Sequence, residues 1–334
     1  MLNVAILDDY QDISLEMADW GILSEKIEIT VFNDHIHDQE LLIERLRKFQ
    51  VICAMRERTP FPKEVLDSLP NLKLLVTTGM RNASIDIETA DKLGITVCGT
   101  EGLPYPTAEL TWALILALAR NITHEHKSVK EGVWQKTVGI GLQGKTLGII
   151  GLGNLGSQVA SYGNAFGMNV TAWSQNLTSS IAKSKGVRYV PLETLMAESD
   201  FVTIHTVLSS RTRGLIDSSK LNLMKETSYL INTSRGPIVD EEALIKILRE
   251  NRIAGAGLDV FELEPLGNDH PLILSDRTVI TPHIGYVTRE TYKIFFEQSL
   301  ECVSKFLSGA PVRIINSLYT GETKYKGGSN NAII

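Results

Sequence analysis

Three short segments late in the chain carry side chains able to handle an acid and a proton: NTSRGPIVD with Arg235, LDVFELEP with Asp259 and Glu264, and TPHIGY with His283. Each follows or closes an apolar, strand-like run, which places it at the carboxyl end of a strand, where an open α/β sheet keeps its ligand crevice. An arginine meets a carboxylate with a planar fork of two hydrogen bonds. A histidine exchanges a proton near neutrality, its unperturbed pKa being roughly 6.5. A carboxylate such as Glu264 beside the imidazole would stabilise the imidazolium and fix the ring's orientation. The set suits addition of a hydride and a proton to a 2-keto acid: the cation grips the carboxylate and polarises the carbonyl, and the imidazole supplies the proton. Singly, each residue has a plain structural role, Arg235 in a loop salt bridge, Glu264 as a surface acid, His283 as a satisfied histidine after a strand. They gain weight as a group, behind a cofactor motif.

That motif is GLGNLG, Gly151 to Gly156, directly after the strand-like KTLGIIG and at the start of a helical stretch from Asn154 to Phe166. Gly151 permits the tight turn, Gly153 lets backbone amides approach a pyrophosphate, and Gly156 allows close helix–sheet packing. The helix amino terminus adds partial positive charge. Dinucleotide binding is the reading this context favours, with methyl-donor or flavin binding as the other options. The next strand, NVTAW, should end in an acid that grips the adenosine ribose when NAD is preferred. Ser174 stands there instead, followed by Gln175 and Asn176. A neutral side chain removes the repulsion against a 2′-phosphate, yet no arginine follows to attract one, so NAD(H) and NADP(H) both remain open.

The elements that must position these residues form two series. From Val4 to Cys98, the runs VAILDD, IEITVF, VICAM, LKLLVTT and ITVCG alternate with helical stretches such as Gln39 to Lys48 and Lys63 to Ser68. From Lys145, KTLGIIG, NVTAW, FVTIH, SYLINTS, IAGAGLDV and TVITPHI form the second series. The alternation predicts an α/β protein with two doubly wound parallel sheets. An apolar helix over Thr107 to Arg120 lies between the series, and Arg289 to Leu307 follows the second. If that last helix packs on the first sheet, residues 1–101 and 289–334 form a discontinuous domain into which 102–288 is inserted. The polar stretch Thr320 to Ile334 reads as a loose tail.

With 334 residues, 43% hydrophobic and 22% charged, the chain suits two buried cores. Its net charge of -6 spreads over both halves, giving nucleic acid or an anionic membrane no electrostatic footprint. Cys53, Cys98 and Cys302 lie far apart without a CxxC pair and read as reduced, buried thiols. His124 and His126, two residues apart near the end of the apolar helix, do not share a helix face, so no metal site is expected. The start, MLNVAILDDY, reads as a first strand and not as a signal peptide, and the expected location is the cytoplasm. The most apolar stretch, Leu110 to Ala119, is about half of what a membrane span needs and reads as a buried helix. Trp112 and Trp134 are expected to pack in the helical region or at a subunit contact.

Taken in order, RERTPF, LVTTGMRNASIDI, PTAELTWALILALAR, GKTLGIIGLGNLG, NTSRGPIVDEEAL, GLDVFELEP and TPHIGY resemble the D-isomer-specific 2-hydroxyacid dehydrogenase family, over about Val51 to Pro311. The resemblance implies a Rossmann cofactor domain inserted in a flavodoxin-like substrate domain, a small 2-keto or 2-hydroxy acid as substrate, and a homodimer formed through the cofactor domain. It implies that Arg235 binds and polarises substrate, and that His283, paired with Glu264, is the general acid of reduction and base of oxidation. Asp259 would hold the nicotinamide amide, with Asn154, Leu155, His205, Thr206 and Thr233 along the cofactor path. The loop Thr78-Gly79-Met80-Arg81 resembles the one whose backbone amides meet the substrate carboxylate, and Arg56 falls near the substrate's charged end, an exposed salt bridge being its other possible role. The chain departs from the family pattern at Ser174 and at GMRNAS, where many members have a glycine-rich turn. A cofactor-sensing binding protein of corepressor type, which resembles this family in fold and residues, is the competing reading.

Overall fold

The structure, a computed structural model, describes residues 1–316, so the tail expected over 320–334 lies outside the described residues. The chain divides into two compact units. The first comprises Met1–Leu103 and the described chain from Val287 onward; the second is Pro104–Tyr286.

In the first unit, β1 (Leu2–Ile6), β2 (Ile27–Val31), β3 (Val51–Ala54), β4 (Leu74–Thr77) and β5 (Thr96–Gly99) make one parallel sheet in the order β2-β1-β3-β4-β5. This is the flavodoxin-like order, with its topological switch between β1 and β3. The sequences VICA, LLVT and TVCG show no alternation because every residue of these strands is buried, as expected for a parallel sheet covered on both faces. The helix Arg289–Leu307, capped by the Thr288 hydroxyl, packs on β4 and on the short helix Ser14–Met17. The returning chain then pairs Ile314 with Cys98, and Asn316 Oδ1 accepts from Val97 N at 3.0 Å. Cys53, Cys98 and Cys302 are all free and buried here.

In the second unit, β6 (Thr146–Ile150), β7 (Asn169–Trp173), β8 (Arg188–Tyr189), β9 (Phe201–Ile204), β10 (Tyr229–Asn232), β11 (Gly255–Leu258) and β12 (Thr278–Ile280) form a parallel sheet in the order β12-β11-β10-β9-β6-β7-β8. The order reverses between β6 and β9, whose register runs Leu147↔Phe201 to Ile150↔Ile204. The helix Pro106–Ala119 buries Trp112, Leu114, Ile115 and Leu118 in the core with Ile149, Phe201 and Ile231. Each such fully buried side chain contributes about 1.5–3 kcal/mol of hydrophobic stabilisation. On the opposite side, the helix Glu241–Arg249 opens on an Asp240 cap with Glu241 and Glu242 in its first turn and Lys246 and Arg249 in its last, matching its macrodipole.

His124 and His126 lie just past the apolar helix: Asn121, in the left-handed region at φ 51, breaks the chain direction, and both histidines sit on a separate helix, Ile122–Lys130. Trp112 packs against Tyr162 and Phe166, whereas Trp134 is 78% exposed, outside the core formed by the described residues. Among the described residues, no helix is long and apolar enough to cross a membrane, and no cluster of three His, Cys, Asp or Glu could hold a metal.

Candidate active site

Strand register brings most of the singled-out residues of the second unit to one edge of its sheet. Gly151 follows β6, Ser174 follows β7, His205 and Thr206 follow β9, Thr233 to Arg235 follow β10, Asp259 follows β11, and His283 lies three residues past β12. All are at carboxyl ends, on either side of the point where the strand order reverses.

His283 and Glu264 meet. His283 Nδ1 donates to Glu264 Oε2 at 2.6 Å, and Glu264 Oε1 accepts from Phe261 N at 2.9 Å, so both carboxylate oxygens are engaged. The two side chains are 16% and 29% exposed, shielded enough for the pair to matter yet open to a small ligand. With Nδ1 held by the carboxylate, Nε2 is the nitrogen left to exchange a proton. His283 also adopts φ 53, a left-handed conformation uncommon for any residue but glycine, although histidine is among the types that adopt it more often. Such strain costs on the order of 1–3 kcal/mol and persists only where the surroundings over-determine it.

Asp259 supplies that determination. It is fully buried, and it accepts from Thr281 Oγ1 at 2.6 Å, Ile284 N at 2.8 Å and Gly285 N at 2.8 Å. Its three donors bracket His283 in sequence. A carboxylate has about four acceptor positions, so one remains for a further donor such as an amide. Burial raises the Asp259 pKa above the ordinary carboxylate value, against the opposing pull of these donors and of His283.

Arg235 is brought to the same place by backbone packing. Gly236 lies so close to Phe261 that an added Cβ would sit 2.0 Å from the Phe261 carbonyl, which presses the Arg235 loop against the loop carrying Glu264. Asn232 stitches the arginine's turn, accepting from Ser234 N at 3.0 Å and donating to Arg235 O at 3.0 Å, while Arg235 Nη1 donates to Ser234 O at 2.7 Å. Sequence reasoning missed two further ties, both from the apolar helix. Thr111 Oγ1 shares a 2.7 Å hydrogen bond with Thr233, and Thr107 Oγ1 donates to Gly285 O at 3.0 Å. Two threonines four residues apart on a helix whose remaining polar side chain is Glu109 were the available signal, since that spacing puts them on one face.

The glycine-rich turn fits a pyrophosphate. Gly151 has φ 99 and packs on the His205 backbone, and a Cβ on Gly156 would lie 2.0 Å from Gly151 O, so only glycine closes this turn. Nothing lies within 4 Å of where a Gly153 Cβ would be, which leaves its backbone approachable. The helix Asn154–Ala165 begins there without a side-chain cap, so its first-turn amides are left for an anion; Asn154 is exposed and Leu155 half-buried. Ser174 Oγ accepts from Leu152 N at 2.8 Å, joining the end of β7 to the turn. His205 Nε2 bonds Thr203 Oγ1 at 2.9 Å, and among the described residues its buried Nδ1 has no partner; burial lowers its pKa to about 4, which keeps the ring neutral. Thr206 offers its carbonyl to Ser234 Oγ.

The remaining expected site residues belong to the first unit and form a cluster of their own. Arg56, at φ 52, donates from its backbone to Thr78 Oγ1 at 2.8 Å and from Nη1 to Thr78 O at 3.3 Å. Its guanidinium covers Gly79, where a Cβ would meet Nη1 at 1.9 Å. The Gly79 amide is already taken by Thr100 Oγ1 at 2.9 Å, so of this loop's amides it is those of Met80 and Arg81 that remain for a ligand. Met80 is 44% exposed and Arg81 is also exposed.

Comparison with known proteins shows the family to which the chain is similar. The family model described as D-isomer specific 2-hydroxyacid dehydrogenase, NAD binding domain, matches residues 112–285. Glyoxylate reductase of Aeropyrum pernix is 42% identical over 264 residues, covering 76% of this chain and 79% of that one. Glyoxylate reductase of Korarchaeum cryptofilum is 35% identical over 315 residues, covering 91% and 95%. The crystal structure of a phosphoglycerate oxidoreductase from Vibrio cholerae o395 aligns with a TM-score of 0.88 at 36% identity, over 93% of this chain and 100% of that one.

Proposed function

Because the chain belongs to the D-isomer-specific 2-hydroxyacid dehydrogenase family, we propose that it interconverts a small D-2-hydroxy acid and its 2-keto acid with a nicotinamide dinucleotide, glyoxylate and its close analogues being the keto acids. The observation that carries this reading is the 2.6 Å contact between His283 Nδ1 and Glu264 Oε2. When bound, the nicotinamide supplies or accepts the hydride. Arg235 holds the substrate carboxylate with its two-pronged guanidinium and draws electron density from the carbonyl. In reduction, His283 Nε2 gives its proton to the carbonyl oxygen as the hydride arrives at carbon, and in oxidation it takes the hydroxyl proton back. Glu264 keeps the ring oriented through Nδ1 in both directions. Asp259 holds the His283 loop and offers its remaining acceptor position to the nicotinamide amide.

The dinucleotide is held by the amides of Asn154, Leu155 and Gly156, with Gly151 and Gly153 shaping the turn and Ser174, His205, Thr206 and Thr233 lining the path. In the first unit, the Met80 and Arg81 amides and the Arg56 guanidinium are the donor set a carboxylate takes. The protein also forms a homodimer through the second unit in this proposal. Supporting it, Val133, Trp134 and Val138 are 45%, 78% and 94% exposed on one segment, an apolar surface a monomer gains nothing from presenting to water.

The test is purified protein incubated with glyoxylate, hydroxypyruvate and a wider keto-acid panel, with NADH and NADPH in parallel, following loss of the reduced cofactor by absorbance. Turnover with at least one pair is expected. No turnover with any pair, despite demonstrated cofactor binding, would overturn the proposal.

A further inference from the structure

Lys185 stands just after the helix Ser179–Ser184, on the far side of β7 in sequence from the glycine-rich turn, yet it reaches back to that turn. Its Nζ donates to Leu152 O at 2.9 Å and to Ser157 Oγ at 2.8 Å. Leu152 is also the residue whose amide donates to Ser174 Oγ at 2.8 Å. Two hydrogen bonds and a single residue's backbone therefore separate the Lys185 ammonium from the Ser174 hydroxyl. Both acceptors of the ammonium are neutral, and among the described residues no carboxylate pairs with it. An ammonium carries three donors, so one remains, and its charge is not neutralised. Ser174, accepting from Leu152 N, keeps its own O–H to donate.

The sequence around this point has a matching bias. Gly132 to Leu192, a run of 61 residues, contains no Asp or Glu, but holds Lys136, Lys145, Lys183, Lys185 and Arg188. The chain as a whole carries more acids than bases, 39 against 33, so the bias is local to the strands and turn that form the first half of the second sheet.

We infer that the end of β7 is a 2′-phosphate site in which Lys185 is the cation and Ser174 a hydrogen-bonding neighbour, so that the chain is built for NADP(H). The inference rests on the reading above that the glycine-rich turn holds a dinucleotide. An acid at position 174 would grip the ribose diol and repel a phosphate, which carries a charge of about −1.5 to −2 near neutrality. A serine accepts either. The lysine, as a compact point charge on a flexible stem, can turn its free N–H toward the phosphate without leaving the turn.

The competing role for Lys185 is a brace for the glycine turn, and the two make different predictions. Binding of NADPH and NADH is measured by fluorescence titration, and of 2′,5′-ADP and 5′-AMP by calorimetry, for the wild type, Lys185→Met, Lys185→Arg and Ser174→Asp. The wild type should bind 2′,5′-ADP at least about tenfold more tightly than 5′-AMP. Lys185→Met should weaken NADPH and 2′,5′-ADP about ten- to a hundredfold, the range of a charged hydrogen bond, and leave NADH within about twofold. Lys185→Arg should retain the preference, and Ser174→Asp should reverse it toward NADH. Equal wild-type affinity for the two adenosine phosphates overturns the inference, a comparison that stands even if a variant fails to fold. Equal weakening of both reduced cofactors by Lys185→Met also overturns it, making the lysine a brace. Failure of the wild type to bind either reduced cofactor would instead remove the dinucleotide reading on which the inference rests.

Discussion

Acidification should destabilise the second unit through His205 in a calculable way. The ring's Nδ1 is buried without a partner among the described residues, and burial lowers its pKa from 6.5 to about 4. Between those values the unfolded chain takes up a proton that the folded chain refuses. The contribution is therefore fully present above the unfolded value and is lost as pH falls through the window toward the folded one. At 1.36 kcal/mol per pKa unit, going from about pH 7.5 to about pH 5 should remove about 2 kcal/mol through this group alone. The perturbation is His205→Gln, which keeps a hydrogen-bonding amide near Thr203 but cannot be protonated. The assay is urea denaturation at both pH values by tryptophan fluorescence, with Trp112, Trp134 and Trp173 reporting the second unit against Trp20 in the first. The wild type should lose about 2 kcal/mol more than the variant. An equal loss in both proteins would refute the idea that this ring is sealed as a neutral base.

Replacing His283 with Ala should lower turnover about a hundredfold or more while the dissociation constant for the cofactor stays within about twofold; steady-state kinetics and fluorescence titration read the two separately. Loss of cofactor binding would mean that the histidine has another role. Arg235→Lys should reduce kcat/KM for the keto acid by at least about tenfold, because a point charge cannot reproduce the fork, and an unchanged kcat and KM would count against the assignment. Gly156→Ala places a methyl group where Gly151 O already lies, at 2.0 Å, so the turn must open and reduced-cofactor affinity should fall at least tenfold in titration. Retained affinity would show that the turn does not hold the pyrophosphate.

The elements were most legible where periodicity and composition agreed. NVTAW is β7 to the residue, Arg289 to Leu307 is the final helix, and the GLGNLG turn sits between β6 and its helix as its spacing requires. Strand ends were read too generously wherever β-branched residues continued past the last ladder bond: IAGAGLDV contributes only Gly255–Leu258, and TVITPHI only Thr278–Ile280. Two residues, Arg188–Tyr189, make β8, too short for any pattern to mark. The contact between Glu264 and His283 was legible as chemistry, because a carboxylate and an imidazole at neighbouring strand ends suit each other. What holds them was not. The αL conformation of His283, the bracket of donors around Asp259 and the Thr107 and Thr111 ties depend on which side chain faces which across 20 to 180 positions of chain, and local propensity has no access to that.

The first unit is completed by chain that is made after the second unit. Its five strands and connecting helices are encoded before Leu103, but the helix Arg289–Leu307 and the residues that bond to β5 follow the entire second unit. A ribosome adding about 5–20 residues per second takes roughly ten to forty seconds to cross that insertion. For that interval, β4 waits without the helix Arg289–Leu307 that will cover it, while the second unit emerges with its whole sequence contiguous. A message truncated between Leu103 and Arg289 therefore yields a first sheet with every strand present but without its final helix, the kind of product a cell's chaperones and proteases are placed to find.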